Sequence, residues 1–367
     1  MGVQHDLGKG FVLDVSYIGN VAHNQFNQGR IDFNAVKPYT IWNPTTGANP
    51  KYLDPTSGSG GTAGFYSTNL IRALSGGYNW GAIQGYTMDG ESNYNALQMS
   101  VNRRFSKKLQ LGANYTWSKT ITYNRNQFVN DYLLKNVTGN RPHAVNLNWG
   151  YDIPSLAKFM NNNVVAKQIF NDWHWSGVGT FFYGQALAVS CSANGAPIGY
   201  WTGTPTGGFP FRCQQNGNLW LADGTTPSSL YTGINAAQAS QDSRLWYPFN
   251  PASFVLPSAT SYGIGNAQPT MTYGPGVMNF DMSLQKEVSL SVREHPITAS
   301  FKIEAFNAFN HFNPGNPNTT LNINCAASNG NCTAPANLSA YTNTNFGTVT
   351  SAQVQARHAS LTLRLRF

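Results

Sequence analysis

The stretch ASLTLRLRF, residues 359–367, decides the fold class. Ala359, Leu361, Leu363, Leu365 and Phe367 are apolar, and Ser360, Thr362, Arg364 and Arg366 stand between them. Successive side chains of a strand point to opposite faces, so this segment separates into one apolar and one polar face. A helix, with its period of 3.6, cannot make that separation. One face suits lipid and the other suits water.

The same period recurs through the chain. Phe11, Leu13, Val15 and Tyr17 alternate with Asp14 and Ser16. Leu97, Met99, Val101 and Phe105 alternate with Gln98, Ser100, Asn102 and Arg104, and Leu109, Leu111, Ala113, Tyr115 and Trp117 with Gln110, Asn114, Thr116 and Ser118. Val145, Leu147, Trp149 and Tyr151, then Met278, Phe280, Met282 and Leu284, then Ile297, Ala299, Phe301, Ile303 and Ala305 repeat it. Around Trp173, Trp175, Phe181 and Tyr183 the signal is weaker, because Gly177 and Gly179 occupy the apolar phase. The pattern predicts about nine strands, each near the 9–11 residues that a tilted strand needs to cross a bilayer.

The connections alternate in length. A tight turn at Gly8–Gly10 precedes a strand over 11–24, and Ser106-Lys107-Lys108 joins strands over 92–106 and 109–123. Strands over 276–289 and 296–311 meet through Arg293–Pro296. Long segments occupy about 25–91, 124–142, 191–275 and 312–354, and 154–171, between strands over 143–153 and 172–190, has room for a short helix. Short turns on one side and long loops on the other are the habit of a bacterial barrel, whose long loops are extracellular. Trp117, Tyr123, Trp149, Tyr151, Trp173 and Trp175 lie near strand ends, where aromatic girdles stand. A soluble β-sandwich also alternates, but it rarely needs connections of such length.

Composition points the same way. Charged residues make up 10% of the 367, against roughly 25% in soluble domains. The mean hydropathy is −0.32, and no run approaches the ~18 apolar residues of a transmembrane helix. A barrel reconciles low charge with low hydropathy, since apolar residues occupy only every second position. The net charge of +8 comes from scattered Lys and Arg, without the basic patch that nucleic-acid binding requires. The first residues lack the basic and apolar regions of a signal peptide.

With these residues in view, a resemblance can be named. The run ESNYNALQMSVNRRFSKKLQLGANYTWSKT (91–120) resembles a hairpin in the barrels of TonB-dependent receptors, especially the Oar-like group with many acidobacterial members. GNRPHAVNLNWGYDIP (139–154), FKIEAFNAFNHFNPGNP (301–317) and FGTVTSAQVQARHASLTLRLRF (346–367) resemble later strands of such barrels. The resemblance covers most strands from about residue 90 onward and little of the long loops. It implies an outer-membrane location, a barrel of 22 strands holding an N-terminal plug, and energy delivered through a TonB box. Plug, TonB box and signal peptide are absent from this chain, so the expectation is a C-terminal barrel portion, residues 1–367, of a longer receptor. Leu363, Leu365 and Phe367 match the C-terminal pattern that the outer-membrane assembly machinery reads.

Chemistry-bearing motifs are sparse. No GxSxG, P-loop, HExxH or Rossmann fingerprint occurs, so neither an enzyme nor a cofactor is expected. Asp89 and Glu91 lack EF-hand spacing and read as a solvated loop. His174 lies in the polar phase, while His311 and His358 sit near strand ends. Asp281, Lys302, Glu304, Arg364 and Arg366 fall in the polar phase of neighbouring strands, and are expected to face the lumen, either as a charge ladder towards a plug or as simple lumen polarity. Cys191, Cys213, Cys325 and Cys332 allow three connectivities, local pairing being the cheapest and free thiols the alternative. Trp42, Trp80, Trp201, Trp220, Trp246 and Tyr247 could bind a glycan, although loop packing is the commoner role. The expected function is uptake of an unidentified small solute by a barrel set in outer-membrane lipid. A passive pore and a secreted β-rich adhesin are the alternatives.

Overall fold

Residues that alternate in polarity give each strand two distinct faces, and the chain lines such strands edge to edge in one antiparallel sheet of ten. The computed structural model describes residues 1–26, 31–34, 36, 42–43, 47–54, 56, 64–76, 83–85, 88–106, 108–124, 134–136, 141–155, 164–194, 213–221, 243–255, 265–268, 270–292, 295–324 and 345–366. The strands of the main path are β1 (Gly2–Gly8), β2 (Phe11–Gln25), β3 (Gly90–Ser106), β4 (Leu109–Asn124), β5 (His143–Asp152), β6 (Trp173–Phe182), β7 (Val277–Val292), β8 (His295–Phe306) and β9 (His358–Arg366). Each pairs with the next in order, and Leu134–Asn136 adds a short branch to β4. The sheet is an up-and-down meander of the kind that barrels use. It does not close: β1 and β9 stand at opposite edges and every residue in each is exposed.

Register carries the alternation across the sheet, since residues directly opposite share a face. One row runs Leu13, Val101, Ala113, Leu147, Gly179, Phe280 from β2 to β7. Another runs Leu109, Tyr151, Trp175, Leu284, Ile303, Leu361 from β4 to β9. The opposite face carries Asp14, Ser100, Asn114, Asn146, Thr180 and Asn279 in one row. Along β4 the apolar positions extend from Leu109 to Trp117, about 27 Å at ~3.4 Å per step, or about 21 Å of height at a tilt of ~40°. That approaches the ~25 Å apolar band of an outer-membrane barrel.

Short turns lie at one end. Gly8, Lys9 and Gly10 all take positive φ between β1 and β2, and Lys108 does so between β3 and β4. The longer connection between β5 and β6 lies at the same end and holds a helix, Val164–Phe170. Trp173 Nε1 donates to the Ile169 carbonyl at 2.9 Å and so satisfies a carbonyl of the helix's last turn.

Two strands end earlier than the alternation predicts. β6 stops at Phe182 rather than continuing to 190, because the chain then crosses another segment. A Cβ on Gly184 would lie 1.7 Å from the Gly274 carbonyl oxygen, so only glycine allows that approach. β8 stops at Phe306 rather than 311, where Asn307 and Asn310 turn the backbone through positive φ.

The buried core sits outside the sheet, among the long connections. Phe249, Phe254, Phe346, Leu321 and Cys213 are fully buried there. A smaller cluster joins Val36 and Tyr52 to Ile71 of a helix, Thr68–Leu74. Among the described residues, the two buried hydrophobic clusters lie in the connections, and many large apolar side chains of the sheet are exposed.

Candidate functional site: the polar face and the loop assembly

The polar face is a set of rows whose side chains bond to one another. In one, Asp152, His174, Gln285, Lys302 and Thr362 lie opposite each other across five strands. The Asp152 carboxylate is 2.7 Å from His174 Nδ1. In the next row, Ser176 and Ser283 hydroxyls are 2.8 Å apart, and Glu304 and Ser360 follow. Lys302 Nζ donates to Glu304 Oε1 at 2.6 Å, and the Ser360 hydroxyl reaches Glu304 Oε2 at 3.4 Å.

All five charges singled out in the sequence lie in the polar phase, but they do not pair across strands. Lys302 and Glu304 pair along their own strand, two residues apart. Arg364 and Arg366 stand opposite Ser300 and Thr298. Asp281 lies opposite Val178 and accepts from the backbone N–H of Asn307 at 2.9 Å.

Two cations interrupt the apolar phase, both near the short-turn end. Arg103 lies over the Phe11 ring at 5.2 Å. Lys286 lies over Trp173 at 5.4 Å and donates to the Asn171 carbonyl at 2.6 Å. Lys286 thus lays its stem along apolar surface and delivers its ammonium to a carbonyl.

Where the strands give way to loops, an asparagine lattice binds the loop roots together. Asn313, fully buried, accepts from the Met278 N–H at 2.7 Å and donates to the Met278 carbonyl at 3.0 Å. Asn307 accepts from His311 N–H at 2.8 Å and donates to the carbonyls of His311 and Gln355, both at 3.0 Å. Asn310 accepts from Arg357 N–H at 3.1 Å. Gln353 donates to the carbonyls of Pro275 and Pro314 and accepts from Arg141 at 2.7 Å. Arg141 also donates to the Tyr183 carbonyl, and burial lowers its pKa by penalising the charged form. Sequence reasoning missed this lattice, and its one signal is the even spacing of Asn307, Asn310 and Asn313.

Above the lattice the loops form one assembly. Cys191 and Cys213 are joined by a disulfide across 22 residues. Ser190–Asn194 pairs in parallel with Thr320–Asn324, uniting the connection before β7 with the connection before β9. Trp220 stacks on Phe249 at 5.2 Å while remaining 41% exposed. Tyr247 packs 5.8 Å from Phe249, and burial raises its pKa. Trp246 bridges to Thr348. Most of the loop aromatics described here therefore pack; Trp220 alone among these three offers much of its surface.

Leu363 and Leu365 project, well exposed, from β9. His358 stacks on Phe306 at 4.6 Å, and Glu91 lies 3.5 Å from His23 at the outer end of β3. The side chain of Trp42, together with Trp80, Trp201, Cys325, Cys332 and Phe367, lies outside the described residues. Among the described residues, no three His, Cys, Asp or Glu side chains are grouped as metal ligands would be.

A protein family described as "Outer membrane beta barrel domain" matches residues 1–359. Among solved structures, the chain is similar to the outer membrane transporter YddB from Escherichia coli, with 9% identity and a TM-score of 0.37. That match covers 99% of this chain and 31% of the other, so this chain spans about a third of that transporter's length. No curated protein matches the chain.

Proposed function

This chain belongs to the outer membrane β-barrel domain family and resides in the outer membrane, and on that premise we propose that it supplies C-terminal barrel strands of a TonB-dependent receptor of Oar-like type. The observation that carries the reading is the sorting of the sheet. One face is apolar from β2 to β9, the other holds the bonded polar rows, and the connections before β7 and before β9 share one core. The motif runs at 91–120, 139–154, 301–317 and 346–367 support the receptor type.

In this reading the apolar face meets outer-membrane lipid, and the face with Asp281, Lys302, Glu304, Arg364 and Arg366 lines the lumen. The loop assembly captures a scarce small solute outside the cell. Movement of a plug, contributed by an N-terminal part and coupled there to the TonB complex, admits it. Leu363, Leu365 and Phe367 carry the assembly signal. The chain is a conduit and takes part in no bond-breaking step.

The test uses the full-length gene product purified from its own outer membrane. It should retain the purified periplasmic domain of TonB on a column and pass no steady potassium current in a planar bilayer. A steady ohmic current without retention of TonB would assign a passive pore instead.

A further inference from the structure

The part of the loop assembly that turns to solvent is built from uncharged groups. Residues 214–221 and 248–255 run antiparallel: Gln215 pairs with Phe254, the Asn216 N–H donates to the Ser253 carbonyl at 2.8 Å, and Trp220 bridges to Phe249. The inner side of this ribbon belongs to the shared core, where Phe249 and Phe254 are fully buried. Asn216, Asn218 and Trp220 are exposed. Trp220 stacks on Phe249 with the ring planes 26° apart and remains 41% exposed. One face of its ring is therefore covered and the other is open. Tyr247, half-buried, meets Trp220 at 6.4 Å with its plane tilted by 35°, and widens the aromatic surface. Among the described residues of 213–221, 243–255, 265–271 and 345–353, Arg244 is the one charged side chain, and it lies over the Phe312 ring at 4.9 Å.

We propose that the open face of Trp220 is a binding platform for a pyranose ring of a neutral oligosaccharide and, resting on the receptor reading above, that such sugars are the solute the loops capture. A pyranose with equatorial substituents has a flat face of C–H groups and a rim of hydroxyls. The C–H face leaves water against the indole, and the rim remains free to hydrogen-bond. Asn218 is two residues from Trp220, no more than about 7 Å along the chain, and its amide can both donate to a hydroxyl and accept from one. A single open ring face suits a sugar better than a planar aromatic solute, which has two apolar faces and would leave one of them in water. Charge separates the remaining classes. An anionic metal chelate or a phosphorylated solute requires cations opposite it. The described residues here supply one guanidinium, and it is already stacked on a ring. The Cys191–Cys213 disulfide and the pairing of Ser190–Asn194 with Thr320–Asn324 hold the core beneath the platform, so little ordering accompanies binding.

The full-length protein is purified from its own outer membrane in a detergent without a sugar headgroup. Isothermal calorimetry then follows its titration with cellohexaose, a neutral chain of equatorial pyranoses, and with hexagalacturonate, a chain of similar length that bears carboxylates. Cellohexaose should bind at millimolar concentration or below, and hexagalacturonate about tenfold more weakly. Trp220→Ala should weaken cellohexaose binding by about tenfold, as the loss of an aromatic anchor does. Trp220→Tyr keeps a ring face and should stay within about threefold of wild type. Asn218→Ala leaves the ring stack in place and should lose about fivefold. Loops as resistant to protease as those of wild type show that the core is intact in each variant. No binding of cellohexaose by wild type, equal binding by the Trp220→Ala and Asn218→Ala variants, or a preference for hexagalacturonate overturns the proposal. Retention of TonB by the same preparation reads the receptor separately. Retention without cellohexaose binding overturns this inference alone; cellohexaose binding without retention overturns the receptor reading and leaves the platform.

Discussion

Asn313 does with one side chain what a neighbouring strand would do with its backbone. Its amide accepts from the Met278 N–H and donates to the Met278 carbonyl, so β7 remains paired after β8 has turned away. Asn313→Ala would leave both groups of Met278 unmatched in a buried site, at about 3 kcal/mol. Asn313→Asp keeps the acceptor and loses the donor, and should be at least as damaging. Urea unfolding in detergent measures both. The opposite expectation holds for Lys302 and Glu304. Their side chains are 37% and 30% exposed, where solvent screens such a pair. Exchanging them, Lys302→Glu with Glu304→Lys, preserves a pair along β8 and should leave assembly intact; failure to reach the outer membrane would show that each charge is held by another partner. Polarity and phase made the charges legible in the sequence. The lattice was not legible, because asparagine in a loop is common and its buried partners are backbone groups from distant segments.

At the scale of the element, β6 shows why its alternation looked weak. A Cβ on Gly177 would lie 2.3 Å from the Trp149 ring, and one on Gly179 would lie 2.9 Å from the Phe280 ring. The glycines leave space on the apolar face that large rings of adjacent strands lean across, the device called aromatic rescue. Gly177→Ala should therefore destabilise by about 1–3 kcal/mol through overpacking. Adding Trp149→Leu should restore part of the loss if the ring is the obstacle, as read from paired unfolding curves; no recovery would place the obstacle at the Asp281 carbonyl, 2.8 Å away. The strands over 92–106 and 109–123 were plain from sequence because every apolar position there carries its own side chain. In β6 the apolar surface is borrowed from neighbours, and a local period cannot register what another strand supplies. The early ends of β6 and β8 escaped notice for a related reason, since a backbone crossing and an asparagine turn interrupt a pattern that continues in the residues.

At the scale of the whole molecule, two uncovered edges govern behaviour. β1 and β9 present unpaired backbone groups that lipid cannot satisfy. The 367-residue chain alone should give no stable conductance in planar bilayers, and a reproducible unitary current from it would show that the edges can meet. The loop assembly answers to different forces. Replacing Cys191 and Cys213 by Ser removes a cross-link over 22 residues and should cost that assembly about 3 kcal/mol, seen as faster protease cleavage of the loops with the strands still protected. The long connections were visible in the sequence as lengths, but their union was not: Ser190–Asn194 and Thr320–Asn324 are too far apart in the chain for any local pattern to join them. That parallel pairing has a consequence for how such proteins diversify. Two segments that complete one another's hydrogen bonds are inherited as a pair, so recombination that imports one from a related gene without the other delivers a mismatched half. If the loops capture a solute as proposed, changes of preference should arrive as joint replacements of both connections, and a chimera built with a single transplanted loop should fold its strands and capture nothing.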